Sequence, residues 1–431
     1  CGPPSSMAAL SLVVKEANLV NGVRRLLNGG GARICGAGIL SLVLAACAAD
    51  GGNRAPPTPV TPEIAATPPP LTSRDPAGYL TPRHLTGAQP VRVALLLPLT
   101  GPAASTGQAM LDAAQLALFE FNNPNILLIP KDTGGDPARA ELVANQAISE
   151  GADIILGPLF AGSVAAVAGP AQRSGVPVVA FSTDRNVAGS GVYLLSFLPE
   201  EDIQRIVDFA VLEGHRRFAA MVPQSEYGTR VRTEYAQAVG ARGAQLVATE
   251  SYAPTTDGML APAQRLAGLK DQYDVVLLPA GGAELQGLAP LLPYYDVEPA
   301  EVKFIGTGLW DDPSVLREPA LIGGWFAAPP PEVRLAFQER FRQTYGRPPP
   351  RIASLAYDAM SLAIALSEGP QGARYTVDEL TAPDGFTGID GLFRFRPDGI
   401  NERGLAVMEV RPGGFVVVSP APQSLVPGPV F

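Results

Sequence analysis

The 431-residue chain is short of the side chains that most enzymes use for chemistry. It has two histidines, His84 and His215, and three cysteines, Cys1, Cys35 and Cys47. All three cysteines precede the stretch that reads as a folded body, which starts near residue 91. That body therefore has no disulfide, no thiolate metal site and no cysteine nucleophile. With His215 alone inside it, a histidine-rich metal cluster is excluded. A Ser-His-Asp triad would have to use His215 itself. This residue sits in Glu213-Gly214-His215-Arg216-Arg217, a helix end running into a strand, where a solvated histidine is expected rather than a base. None of the four lysines has a serine three residues before it, so the Ser-x-x-Lys pattern is missing. No Gly-x-x-x-x-Gly-Lys phosphate loop occurs either. Neither an enzyme activity, a metal nor a cofactor is expected.

Charge is scarce as well. Charged residues make up 17% of the chain and the net charge is −9, which argues against a nucleic-acid binder. What is plentiful is apolar material, 46% of the sequence, enough for large cores. The length suits two or three domains, or two intimate lobes.

The N-terminal region reads as an address and a tether. Residues 34–49 carry no charge and follow Arg24, Arg25 and Arg33. A basic flank before a short apolar stretch is the pattern of a secretory signal, and the stretch is shorter than the roughly 20 residues of a spanning helix. It ends in Leu44-Ala45-Ala46-Cys47, which resembles a bacterial lipoprotein box, with Cys47 the lipidated residue. Between residues 50 and 90 the chain holds ten prolines, a composition that favours extended polyproline over a core. Such a tether could reach roughly 120 Å, at about 3.1 Å per residue. The expected parts are a leader at 1–46 and a lipid-anchored disordered tether at 47–90, followed by the folded body.

From residue 91 the pattern alternates. Val91–Leu97 is a short apolar run typical of a buried parallel strand. Further strands are expected at 126–129, 153–156, 177–181, 218–222, 246–251, 275–278 and 303–305. The first helix is expected over 105–123, with Gln108, Asp112 and Gln115 on one face and Met110, Ala114, Ala117 and Phe121 opposite. Others fall at 137–150, 163–174, 201–213, 230–241, 260–269, 283–292 and 352–367. This alternation implies βαβ units around parallel sheets, an α/β class. After residue 390, turns such as Arg396-Pro397-Asp398-Gly399 separate short strand-like runs.

Several segments carry a family resemblance. They are Ala94-Leu95-Leu96-Leu97-Pro98-Leu99-Thr100-Gly101-Pro102, Gly151-Ala152-Asp153-Ile154-Ile155-Leu156-Gly157-Pro158 and Gly175-Val176-Pro177-Val178-Val179-Ala180-Phe181-Ser182. With them go Phe341–Pro349, Ala356-Tyr357-Asp358-Ala359 and Gly388–Phe395. In this order they resemble a type I periplasmic binding protein of the Leu/Ile/Val-binding (branched-chain amino acid receptor) family. The lipoprotein box, the proline-rich tether and Pro98-Leu99-Thr100-Gly101 look most like its penicillin-binding-protein activator branch. The resemblance implies two Rossmann-like lobes joined by three crossovers, with a ligand cleft between them. Lobe 1 would comprise 91–199 plus 329–391, lobe 2 200–328 plus 392–420, and 421–431 would be a tail.

Ligands in open α/β sheets bind outside the carboxyl ends of the strands. There Gly162 and Ser163 open a helix whose N–H groups suit a carboxylate, and Ser182 and Thr183 offer hydroxyls. The resemblance implies that these hold an amino acid's carboxylate, and that Tyr227 and Trp310 face it from the second lobe. It also implies an acid just after Phe304-Ile305-Gly306, to meet the ammonium. This chain has Thr307-Gly308-Leu309-Trp310 there, with acids only at Asp311 and Asp312. Either Asp311 substitutes or the ligand is not a free amino acid. The expected role is periplasmic binding of an amino-acid-like ligand for an ABC permease, or activation of a peptidoglycan synthase by protein contact. No nucleic-acid partner is expected. Replacing Cys47 with Ala should release the protein from membranes on cell fractionation; unchanged retention would exclude the lipoprotein box.

Overall fold

A computed structural model of the protein describes residues 72–74, 80–82, 90–370 and 372–426. The expected leader, Cys47 and most of the tether lie outside these residues. Within the tether, β1 (Thr72–Arg74) pairs antiparallel with β2 (Leu80–Pro82). The extended backbone that proline-rich sequence favours is also the backbone a strand uses, so this stretch is not wholly without structure.

The first lobe is built on β3 (Val91–Leu97), β4 (Ile126–Asp132), β5 (Ile154–Leu156), β6 (Val178–Ala180) and β7 (Val192–Leu194). All pair in parallel, in the order β4-β3-β5-β6-β7. Residues 93–97 of β3 are fully buried, as a central strand covered on both faces must be. Three helices connect these strands: α1 (Ala104–Phe121), α2 (Pro137–Ser149) and α3 (Ala161–Ser174). At the start of α2, the Asp136 carboxylate accepts from Arg139 N, satisfying a donor the helix itself cannot. Gly175 ends α3 in the left-handed region, at φ 72°, where glycine is the least strained residue.

The chain then crosses to the second lobe. There α4 (Pro199–Leu212), β8 (Arg217–Pro223), α5 (Glu226–Ala241), β9 (Gln245–Tyr252), α6 (Thr256–Ala267) and β10 (Val275–Leu277) alternate. The expected helix at 283–292 is broken into α7 (Gly282–Leu288) and α8 (Leu291–Tyr294). Pro290, at the break, has no N–H to continue the ladder. After β11 (Lys303–Gly306) and β12 (Trp325–Ala328) the chain returns to the first lobe as α9 (Pro331–Tyr345), α10 (Ala353–Ser367), α11 (Val377–Leu380), β13 (Phe386–Gly388), β14 (Gly391–Phe395) and β15 (Asn401–Arg403). It crosses a third time into β16 (Ala406–Arg411) and β17 (Gly414–Ser419). These extend the second sheet antiparallel, giving β17-β16-β12-β11-β10-β8-β9.

Phe393 and Phe395 pack in the same core as Phe337, Phe341 and β3. Leu405 and Val407 belong to the other. The third crossing therefore falls at about 403–405 rather than at 391/392, because the aromatic residues of β14 pack in the first lobe, Phe395 against Tyr193 of β7. A second difference concerns α1. Asp112, expected on its polar face, is buried and accepts from Arg347 at 2.5 Å. Phe121, expected on the apolar face, is exposed. The packing of α9 and α10 on α1 decides which face is covered.

Both lobes seat a helix tightly on a strand end. A Cβ at Gly107 of α1 would lie 2.1 Å from the Pro98 carbonyl oxygen, and one at Gly228 of α5 would lie 1.9 Å from that of Pro223. Gly107→Ala should therefore cost about 1–3 kcal/mol or more in urea unfolding. Gly240→Ala, a helix position with nothing within 4 Å, should instead gain about 0.5–1 kcal/mol.

Candidate functional site

The first and third crossings meet in a compact staple. Ser196 N donates to Asn401 Oδ1 at 3.3 Å, and Asn401 Nδ2 returns a bond to Ser196 O at 3.1 Å. Arg403 Nε donates to the same carbonyl at 3.0 Å. Phe197 stands beside them, with the Arg351 guanidinium 4.1 Å and that of Arg403 5.1 Å from its ring centre, a cation–π arrangement.

A cavity of about 380 Å³ opens above this staple, between the lobes. The first lobe supplies Thr183 and Arg351, the crossings supply Phe197, Pro199 and Pro329, and the second lobe supplies Asp202, Tyr227, Gly308, Leu309 and Asp311. Its walls are thus mainly apolar, with a few polar groups, the usual make-up of a small-molecule site. The size suits a ligand of about ten heavy atoms.

Asp202 lies in the first turn of α4 and accepts from Gly308 N at 2.9 Å. Burial pushes its carboxyl up to about 7, against the opposing effects of that hydrogen bond and of Arg351. Losing water costs the ionised form more than those two partners return. The Tyr227 hydroxyl shares a hydrogen bond with Thr307 Oγ1 at 3.1 Å, and burial raises its pKa. Tyr252 donates to Glu284 at 2.7 Å in the same lobe. Among the described residues, no group of three or more His, Cys, Asp or Glu is placed to hold a metal.

The residues singled out in the sequence have different fates. Thr183, Tyr227 and Asp311 line the cavity together. Gly162 and Ser163 sit in the first turn of α3, outside the cavity lining. Ser163 is 1% exposed and its Oγ has no partner. It does not cap the helix, because Phe160 occupies that position. Ser182 is buried and its Oγ accepts from Asp184 N at 3.1 Å.

Trp310 does not face the cleft. It is fully buried in the second lobe's core, and its Nε1 donates to Leu278 O at 3.0 Å. Gly306 and Gly324 make room for the ring: a Cβ at Gly306 would lie 2.2 Å from it. The indole thus anchors the turn that carries Asp311, and those two flanking glycines were the signal for it.

Asp311 lines the cavity, but it is already paired. Arg334 Nη2 donates to its Oδ1 at 2.7 Å, and Arg351 Nε lies 3.4 Å from Oδ2. Burial still raises its carboxyl above the usual range, with both arginines opposing. Sequence reasoning missed Asp202, Phe197 and Arg351. Asp202 reads as part of an ordinary acidic helix start, Pro199-Glu200-Glu201-Asp202, and one arginine carries little weight in an arginine-rich chain.

With this geometry established, comparison with known proteins is informative. A family model for "Periplasmic binding protein" matches residues 90–414. The penicillin-binding protein activator LpoA of Vibrio cholerae is 28% identical over 167 residues, 36% of this chain and 27% of that protein. The Leu/Ile/Val-binding protein BraC3 of Rhizobium johnstonii is 24% identical over 208 residues, 46% of this chain and 56% of that protein. The chain thus spans about a quarter of the activator's length and just over half of the binding protein's. A crystal structure of a putative branched-chain amino acid ABC transporter protein from Rhodospirillum rubrum has a similar fold. Its TM-score is 0.67 at 20% identity, and the match covers 76% of this chain and all of the other. The two lobes, the three crossings and the match over residues 90–414 place the chain in the periplasmic binding protein family.

Proposed function

We propose that the protein is a non-enzymatic periplasmic receptor that holds an amino-acid-like ligand between its lobes for an ABC permease, tethered to the envelope through Cys47. The carrying observation is the cavity of about 380 Å³ with an acid, Asp202, that forms no ion pair among the described residues and accepts from Gly308 N. An ammonium there gains a charge-assisted partner. The ligand's carboxylate would lie toward Thr183, whose hydroxyl lines the cavity from the first lobe; Gly162 and Ser163, outside the lining, would not reach it. Phe197, Leu309 and Pro329 would enclose an apolar side chain.

A second reading is that the same fold activates a peptidoglycan synthase by protein contact. The partial similarity to the Vibrio activator supports it, as does the engagement of Asp311 with arginine. On this reading the surface acts and the cleft is idle.

Calorimetry of the folded protein against the twenty amino acids and short cell-wall peptides separates the two. A receptor gives micromolar binding to some of them, and silence across the panel favours the activator. The pH dependence follows from Asp202. Its carboxyl is held near 7 in the empty cleft, so below that pH an ammonium must displace a proton. Affinity should be full above about pH 8 and fall about tenfold per unit as pH drops below about 7. Asp202→Asn should weaken binding and flatten this profile; an unchanged profile would remove Asp202 from the site.

A further inference from the structure

The acid that sequence comparison offers to a ligand is committed to something else. Asp311 belongs to the second lobe, on the turn rooted by the buried Trp310, and its N–H donates to Gly308 O at 3.1 Å. Its two cationic partners belong to the first lobe. Arg334 is on α9, whose Phe337 and Phe341 are core residues of that lobe. Arg351 just precedes α10 and is itself fixed from three sides. Asp390 lies 2.8 Å away, Ser354 Oγ accepts from it at 3.0 Å, and the Phe197 ring lies beneath it.

The side chains of Asp311 and Arg334 are 7% and 9% exposed. The contact is therefore dry, and little screened by salt. Arg334, Arg351, Asp311 and Asp390 together are neutral. An ammonium brought to Asp311 would leave this group with an excess positive charge, next to two guanidiniums. Rotation of one lobe against the other would pull the carboxylate away from both cations, and only on the side that borders the cavity could water take their place.

We propose that Asp311 is an electrostatic pin between the lobes. Held by Arg334 and Arg351, it sets their resting angle around the three crossings, and it is not a ligand group. Arg334 is then a positioning residue for the cleft. The inference rests on the two-lobed fold and not on the ligand reading, so it is tested without any ligand.

The test is hydrogen exchange, read by mass spectrometry, on the full chain carrying Asp311→Asn with Arg334→Gln. This pair of changes removes both charges while nearly keeping shape. Exchange should rise about tenfold in segments 195–202, 308–312 and 401–405, which open as a local unit, and stay unchanged in the sheet cores at 91–97 and 218–223. Unchanged exchange in the three segments would overturn the pin. So would an equal rise in both sheets, since the pair would then contribute only to global stability. If the double variant does not fold, Arg334→Lys keeps the charge on a differently shaped donor. Faster exchange confined to the same segments would support the pin, and no change or a uniform change would overturn it.

Discussion

Arg351 touches both lobes and the first crossing at once. Its guanidinium lies over Phe197, pairs with Asp390 of its own lobe and faces Asp311 of the other, while part of it borders the cavity. The rest of the cleft follows from this placement. The lobes have separate cores and meet where the chain passes between them, and that place is largely dry. A charge there must find its counter-charge within the protein. Two arginines and two aspartates balance one another in charge, and this fixes where the polar walls of the cavity stand. The proposed ligand site is what this network leaves over: apolar surface from Phe197, Leu309 and two prolines, and one acid, Asp202, outside the mutual pairing.

The fold was legible because its signals are repetitive. Buried parallel strands read as apolar runs, helices as amphipathic stretches, and their alternation admits few architectures. Expected and observed strand bounds differ by a few residues at most, from 126–129 against Ile126–Asp132 to 303–305 against Lys303–Gly306. What escaped the pattern was short, was decided by tertiary contact or, like the 15-residue α9, leaves apolar residues such as Val333 and Leu335 exposed. β7 has three residues after a glycine-rich turn, and β12 has four. The first helix shows the second kind of failure. Its periodicity does place Met110, Ala114 and Ala117 on the buried face, but it cannot show that Arg347 meets Asp112 there or that Phe121, at the helix end, stays uncovered.

The site was only half legible, for a related reason. Thr183 and Tyr227 follow strand ends, and the rule that ligands gather there needs no knowledge of neighbours. Asp311 follows a strand end too, yet its partners lie 23 and 40 residues further along the chain. No local pattern shows that they converge. Trp310 illustrates the same limit. An aromatic residue on a cleft turn reads the same in the sequence whether it points out to the cleft or in to the core. Only the two glycines packed on its ring show that it faces in.

Asp202 and Asp311 are both carboxylates at one cavity, and their surroundings assign them different work. Asp311 has two guanidiniums at contact distance, so its charge is balanced before any ligand arrives. Asp202 has one backbone N–H and more distant arginines, and in the empty cleft its ionised form is costly enough to bring its pKa near neutrality. A group in that condition gains most from an incoming cation, because the cation replaces the water that burial removed. A group already paired gains little, and would have to release a partner into a dry interface. On the proposed reading one residue type thus serves both as anchor and as receptor. The difference between them lies in the arginines that α9 and α10 deliver from the other lobe.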